Sequence, residues 1–163
     1  MKSKNVVIKT EPVHLRISPF GFFHYGKEFF DAAKGFKQPA HYSPVPYFLY
    51  CRSIELALKA FLLGKGVPKE DLPKKNLYGH DLEKILKKAQ QMDLRKFIKI
   101  TPKQEKEILK ANEYYAYKKE GGFEYFDVHK AAKGYPELPD LSLLEKAAAE
   151  LVACLKSFCL NAA

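Results

Sequence analysis

The sequence predicts an all-α fold, an up-and-down bundle of about five helices that forms one soluble domain. Its 163 residues are enough for a single domain with its own core. Apolar residues make up 47% of the chain and charged residues 29%, the balance of an ordinary globular protein. Apolar side chains also recur every three or four positions in five stretches, without the strand–helix alternation of α/β proteins.

The chain is predicted to divide into an N-terminal arm or short edge strand, residues 1–18, and one helical domain, residues 19–163. Apolar and polar residues alternate over positions 13–17, which is the period of a half-buried strand. Pro12 and Pro19 bound this stretch. Because proline cannot donate to a sheet, the stretch is limited to an edge strand or an arm.

The first helix is predicted to begin at Pro19 and to end at Gly35, because proline suits a first helical turn and glycine a helix end. Its apolar stripe follows the helical period and comprises Phe22, Gly26, Phe29, Phe30 and Ala33. The prolines within residues 37–46 then predict a loop.

The second helix is predicted to be the central one. Ser43 and Pro44 have the form of an N-cap followed by proline at the first helical position. Residues 45–63 are apolar over much of the helical circumference, as expected for a helix with neighbours on several sides. Gly64 and Gly66 are predicted to end it.

Three further helices are predicted from their start signals. The third begins at His80 or Asp81, and the fourth at Thr101-Pro-Lys-Gln, a capping box with proline in first position. Ser142-Leu-Leu-Glu has the form of a second capping box and is predicted to start the last helix. The predicted apolar stripes are Leu82, Ile85, Leu86 and Ala89; Ile108, Leu109, Asn112, Tyr115 and Ala116; and Leu144, Ala148, Leu151, Val152, Leu155 and Phe158.

The formal charge is +9, from 28 Lys and Arg against 19 Asp and Glu. A positive field of this kind attracts polyanions such as nucleic acid. Only three basic residues are arginines, Arg16, Arg52 and Arg95, although phosphate recognition favours the arginine fork. A lysine-rich surface also serves solubility, so the charge leaves both interpretations open.

No membrane contact is expected, because no apolar run approaches the roughly 18 residues of a membrane span. The N-terminal region has only three consecutive apolar residues, at positions 6–8, where a secretory leader needs about 7–15. Cys51, Cys154 and Cys159 form an odd set without Cys-x-x-Cys spacing, so no disulfide or zinc framework is expected. Cys51 and Cys154 lie within apolar helical patterns and are predicted to be buried thiols. These observations favour a cytoplasmic protein.

The common catalytic and cofactor motifs are absent from the sequence. It has neither form of glycine-rich phosphate loop, no His-Glu-x-x-His and no Gly-x-Ser-x-Gly. Its five histidines are scattered, with no two one helical turn apart. Neither a cofactor nor a metal site is therefore predicted.

The stretch Ser53-Ile-Glu-Leu-Ala-Leu-Lys-Ala, followed after a loop by Gly79-His-Asp-Leu, resembles the HEPN (higher eukaryote and prokaryote nucleotide-binding) superfamily. In many of its members a helix reading Glu-x-x-x-Lys-Ala precedes a Gly-His-Asp-Leu helix start. A tyrosine-rich segment ending in Tyr-Pro follows, which Gly134-Tyr-Pro resembles here. The resemblance covers roughly residues 45–160 and implies a small helical bundle.

The resemblance also implies function. HEPN domains commonly form homodimers with a cleft between the protomers. Many are metal-independent RNA endonucleases of toxin–antitoxin or defence systems, often beside a small nucleotidyltransferase partner, and others bind nucleotides, RNA or proteins. The active members carry Arg, four to six residues, then His. Here Arg16 and His24 are separated by seven residues, and neither Arg52 nor Arg95 has a histidine at the required distance.

We therefore expect a HEPN-like domain that binds nucleotide or RNA without the usual nuclease motif. One alternative is an active metal-independent RNA endonuclease that uses His80. A second alternative is a protein-interaction or scaffold module.

Three residues are candidates for catalysis. Glu55 and Lys59 are one helical turn apart, which predicts either an ordinary salt bridge or a polar pair that faces a cleft. His80 is predicted to act as a general base or to contact a phosphate at a helix N-terminus. Its structural alternatives are helix capping, or a hydrogen bond to Glu55 or to a tyrosine. Lys59 or Arg52 would stabilise the charge of a phosphorane-like transition state.

A second group of residues is predicted to bind nucleotide or RNA. Its tyrosines would offer rings for base stacking or, alternatively, belong to the core or a dimer interface, and nearby lysines would contact phosphates. Asn112, on the apolar face of its helix, is predicted to be a buried partner of His80 or Glu55. The group comprises Arg52, Asp81, Asn112, Tyr114, Tyr117, Lys118, Lys133 and Tyr135.

Overall fold

The computed structural model describes residues 17–116, 122–123 and 137–162. These residues form five α-helices and contain no strand. The helices are α1 (Pro19–Gly35), α2 (Val45–Gly64), α3 (Leu82–Gln91), α4 (Pro102–Tyr115) and α5 (Leu141–Asn161), with a 3₁₀ turn at Leu94–Lys96 between α3 and α4. The predicted all-α bundle is thus confirmed. Of the predicted N-terminal arm, only residues 17 and 18 lie within the described part.

Helix α2 is the centre of the bundle, as its sequence predicted. It packs against α1, α3, α4 and α5. Leu58 and Phe61 are completely buried, and side chains of this kind each contribute about 1.5–3 kcal/mol when fully buried. Polar groups of α2 that face inward are therefore surrounded by buried apolar side chains.

Helix α1 approaches α2 closely at Gly26. A Cβ atom at this position would lie 3.2 Å from both Ala57 N and Ser53 O, which are backbone atoms of α2. Glycine is favoured there because a Cβ atom would force the two helix backbones apart by a few tenths of an ångström. The close contact keeps Phe22, one turn before Gly26, beside α2.

The helix starts follow the predicted chemistry in α1, α3 and α4. Ser18 Oγ accepts a hydrogen bond from Gly21 N (3.0 Å), and Asp81 Oδ1 accepts one from Lys84 N (3.3 Å). At α4 both halves of the Thr101–Gln104 capping box are formed. Each cap satisfies amides that have no partner within the helix.

Two predicted helix starts were wrong by one or two residues. Asp140, rather than Ser142, caps α5, because its carboxylate accepts from Ser142 N (2.8 Å) and Leu143 N (3.2 Å). Helix α2 begins at Val45 after Pro44, so Ser43 lies one position before the cap and its hydroxyl accepts from Val45 N at 3.3 Å. In both cases the local pattern was present, but a neighbouring residue occupies the cap.

Some predicted apolar positions are also corrected. In α1 the most deeply buried ring is Phe23, whereas Phe22 and Phe29 are half-buried, because α1 packs against both α2 and α5 and buries a wider arc. Leu109 of α4 is 41% exposed. Cys51 is a buried free thiol as predicted, but Cys154 is exposed.

Candidate functional site

A buried carboxylate in the middle of α2, that of Glu55, is surrounded by hydrogen-bond donors. Lys59 Nζ lies 2.7 Å from Oε1, and Arg52 Nη1 lies 3.0 Å from Oε2. The hydroxyl of Tyr115, from α4, also donates to Oε2. His80 Nδ1 is 3.1 Å from both carboxylate oxygens. Side chains from two helices and the segment before α3 therefore converge on one group, which we call the Glu55 network.

These donors keep Glu55 ionised inside the protein. The residue is 1% exposed and its neighbours in α2 are apolar. Burial raises the pKa of a carboxyl, but the hydrogen bond from His80 and the charges of Lys59 and Arg52 outweigh it and lower the pKa of Glu55 to about 2. The carboxylate is thus negative at neutral pH and can only accept hydrogen bonds.

Lys59 connects α2 to the segment that carries His80. Its side chain is 6% exposed, and its Nζ donates to the carbonyl of Gly79 as well as to Glu55. Gly79 has a left-handed φ of +47°, which a residue with a side chain rarely adopts. The bond from Lys59 to the Gly79 carbonyl therefore ties α2 to the backbone immediately before His80.

Helix α4 fixes the start of α3 through Asn112. Asn112 Oδ1 accepts from Leu82 N (2.8 Å), and its Nδ2 donates to Asp81 Oδ1 (2.9 Å). Asn112 is buried, as predicted, but its partners are Asp81 and Leu82 rather than His80 or Glu55, because its amide meets the first turn of α3. Two first-turn amides of α3, those of Leu82 and Lys84, are therefore already bonded to protein side chains.

His80 lies at the exposed edge of the network. Its side chain is 57% exposed, and its ring meets Tyr115 edge-on. His80 Nδ1 is 3.2 Å from Arg52 Nη1 and 3.1 Å from the Glu55 carboxylate. A single ring nitrogen either accepts a hydrogen bond from Arg52 or donates one to Glu55. We assign a proton to Nδ1 because the ionised carboxylate of Glu55 can only accept. Nε2 is then the ring nitrogen with a free lone pair in neutral His80.

A cleft of about 490 Å³ opens beside the network. Its polar end is formed by Arg52, Lys59, Gly79 and His80. The guanidinium of Arg52 is partly exposed and lies over the Phe29 ring, 5.9 Å from its centroid. The remaining lining is apolar except for Glu55, Lys69 and Glu70, and comprises Ile17, Phe22, Leu56, Leu72 and Pro73.

The other predicted binding residues lie elsewhere. Tyr114 is 2% exposed and its ring packs against Phe123, with centroids 5.4 Å apart, so it belongs to the core and not to the cleft. Asp81 serves as the cap of α3. The remaining four residues fall outside the described part of the chain, and their roles stay predictions: Tyr117, Lys118, Lys133 and Tyr135.

Two residues of the site were not predicted in their present roles. Tyr115 was placed in the apolar stripe of its helix, yet its hydroxyl bonds Glu55. A buried tyrosine hydroxyl requires a partner, so this position could have been paired with the buried carboxylate. Phe22 was predicted as core but lines the cleft. Periodicity identifies an apolar face, but it does not identify what that face meets.

No protein-family model, curated protein or solved structure matches this chain. None of the helices described is both long and apolar enough to cross a bilayer. Among the described residues, no three His, Cys, Asp or Glu side chains are grouped so that they could hold a metal ion. The chemistry of the site therefore follows from the Glu55 network itself. It presents a guanidinium and an imidazole at the mouth of a partly apolar cleft, a combination suited to anions and to proton transfer.

Proposed function

We propose that this chain is a HEPN-like domain that binds a nucleotide or RNA, with a phosphate held at the polar end of the cleft. The observation that carries the proposal is the position of Arg52 and His80, which a single buried carboxylate holds side by side at the cleft. Arginine forms strong, directional bonds to phosphate oxygens. The net charge of +9 would also attract a polyanion.

Preorganisation supports the same proposal. Arg52 is restrained by Glu55 through Nη1 and by the Phe29 ring. A guanidinium has five N–H donors, so several remain for a ligand. Because the side chain is already ordered, less conformational entropy is lost when phosphate binds. Lys59 contributes indirectly, since its ammonium is bonded to Glu55 and Gly79.

A second candidate function, metal-independent RNA cleavage, is supported by the contact between Arg52 and His80. These residues are 28 positions apart in the sequence, but Nη1 and Nδ1 lie only 3.2 Å apart. In such a reaction the 2′-oxygen attacks the adjacent phosphorus while the 5′-oxygen leaves and takes a proton from water. His80 Nε2 would accept the 2′-hydroxyl proton, and Arg52 would stabilise the charge on the phosphorane.

The further features of this proposal rest on the HEPN resemblance. They are a homodimer, a small nucleotidyltransferase partner and a place in a toxin–antitoxin or defence system. A protein-interaction module is the outcome to expect if no phosphate compound binds. Size-exclusion chromatography with light scattering would test the homodimer, with a mass of twice 18.7 kDa as the expected result.

The binding proposal is tested by anisotropy of fluorescein-labelled single-stranded RNA, titrated at fixed low salt. We expect Arg52→Ala to weaken binding about tenfold or more, because charge-assisted hydrogen bonds contribute roughly 1.5–3 kcal/mol. Arg95→Ala is the matched control, since Arg95 is exposed, bonds Glu105 and lies outside the cleft. Equal losses in the two variants would indicate non-specific charge attraction and would contradict a built site.

Cleavage is tested by incubating end-labelled RNA with the protein in EDTA and reading the products on a denaturing gel. The enzyme candidate requires cleavage that His80→Ala abolishes. His24→Ala is the control, because His24 is exposed on α1 beside Glu28. Intact RNA with the unmodified protein would exclude this candidate and leave the binding proposal standing.

A further inference from the structure

The polar end of the cleft accounts for only part of its lining. Leu56 and Leu72 are 6% and 1% exposed and contribute apolar surface deep in the bundle. Phe22, half-buried, comes from α1, and Pro73, exposed, comes from the loop before α3. The site therefore combines cationic side chains with apolar ones, among them an aromatic ring. A phosphate group makes no use of apolar side chains, so this part of the lining suits another part of the ligand.

We propose that this apolar part of the cleft is a subsite for one unpaired base, formed by Phe22, Leu56, Leu72 and Pro73. The inference rests on the proposed function, because it places the base of the same nucleotide whose phosphate contacts Arg52 and His80. A nucleobase has two flat faces that stack on aromatic rings, and every base has them. The ligand class that fits is a mononucleotide or single-stranded RNA.

The size of the cleft supports a single nucleotide. Its volume of about 490 Å³ lies within the range of small-molecule sites, roughly 300–1,000 Å³. A base inside a duplex is paired and stacked, so it would have to leave the helix to reach such a subsite. Bases in single strands are exposed and can be inserted at much lower cost.

The distribution of charge orients the nucleotide. Lys69 and Glu70 also line the cleft, and their opposite charges offset each other. Glu55 is negative, but its oxygens are covered by four donors and it is 1% exposed. Lys59 is paired with Glu55, so the remaining positive charge lies with Arg52. The phosphate is placed beside Arg52, and the base among the apolar side chains.

The test compares three probes by isothermal titration calorimetry: inorganic phosphate, ribose 5-phosphate and AMP. We expect AMP to bind about tenfold more tightly than ribose 5-phosphate, because only AMP carries a base for the apolar subsite. Phe22→Leu keeps the apolar bulk but removes the ring. It should weaken AMP binding roughly 5- to 10-fold and leave ribose 5-phosphate unchanged.

Phe30→Leu is the matched control. Phe30 lies on the same helix, is also half-buried and packs against Tyr50 outside the cleft. Equal melting temperatures for the two variants would establish that stability does not explain the difference. Equal affinities of AMP and ribose 5-phosphate, with Arg52-dependent binding of both, would overturn the base subsite alone. Binding of none of the three probes would overturn the phosphate site as well.

Discussion

Two lysines at α2 show how differently the bundle holds a positive charge. Lys59 is buried and hydrogen-bonded to Glu55 and Gly79. Lys65, just beyond the end of α2, lies over three phenylalanine rings, with Nζ 5.6, 5.0 and 6.0 Å from the centroids of Phe61, Phe97 and Phe158. One cation is held by directional bonds to charged and polar atoms, the other by the faces of rings.

The two environments predict different losses of stability when the lysine is removed. Removing Lys59 leaves a buried carboxylate and a carbonyl with fewer partners, which is a large penalty. Removing Lys65 leaves rings that already pack against each other, with Phe97 and Phe158 centroids 4.9 Å apart. A costly polar network beside a cleft is typical of functional sites, whereas an aromatic cluster is satisfied by packing alone.

The largest expected effect comes from replacing each lysine by methionine, a side chain of similar length. Lys59→Met should lower the free energy of unfolding by about 3–5 kcal/mol, because it breaks a buried ion pair. Lys65→Met should lower it by about 0.5–1 kcal/mol, the contribution of a partly exposed cation–π contact. Urea denaturation followed by circular dichroism measures both. Similar losses of unfolding free energy in the two variants would contradict the claim that only Lys59 belongs to a costly polar network.

Acid should affect the Glu55 network more than the aromatic cluster. A carboxyl whose pKa is lowered from 4.5 to about 2 contributes about 3 kcal/mol of stability at neutral pH. Because the folded-state pKa is the lower one, this contribution is complete above pH 4.5 and is lost as the pH falls towards 2. The Lys65→Met variant should show the same loss of unfolding free energy with falling pH as the unmodified protein. A carboxyl ¹³C titration of Glu55 with its midpoint near 4.5 would contradict the proposed network.

A smaller effect separates two adjacent tyrosines. Tyr115→Phe removes a hydrogen bond to an ionised carboxylate and should cost about 1.5–3 kcal/mol. Tyr114→Phe keeps an equally buried ring, and its hydroxyl bonds the neutral carbonyl of Glu137 at 3.4 Å, so about 1 kcal/mol is expected. Thermal melts of the two variants would measure the difference. An equal cost would show that Tyr115 contributes packing only.

Most of the fold could be predicted because each helix carries its own period and end signals. The bounds Pro19 and Gly35 and the Thr101 capping box depend on residues close in sequence. The cap of α5 was misassigned because Ser142 and Asp140 both have side chains that can bond free amides. Which of them does so depends on the path of the chain into the helix, and no local pattern records that path.

The site was predictable only in part, for the same reason. The pairing of Glu55 with Lys59 follows from helical spacing, and a bond between His80 and Glu55 was one of the alternatives. The contacts of Tyr115 with Glu55 and of Arg52 with His80 depend on how α4 and the segment before α3 lie against α2. Such distances belong to tertiary packing, which the period of one helix does not determine.

Gly26 influences the width of the cleft through the spacing of α1 and α2. Helices α1 and α2 touch at this glycine, and both line the cleft, α1 through Phe22 and α2 through Leu56. A Gly26→Ala variant would push α1 outwards by a few tenths of an ångström, because the new methyl group would meet backbone atoms at 3.2 Å. The spacing of α1 and α2, and with it the width of the cleft, thus depends on a residue that does not line the cleft.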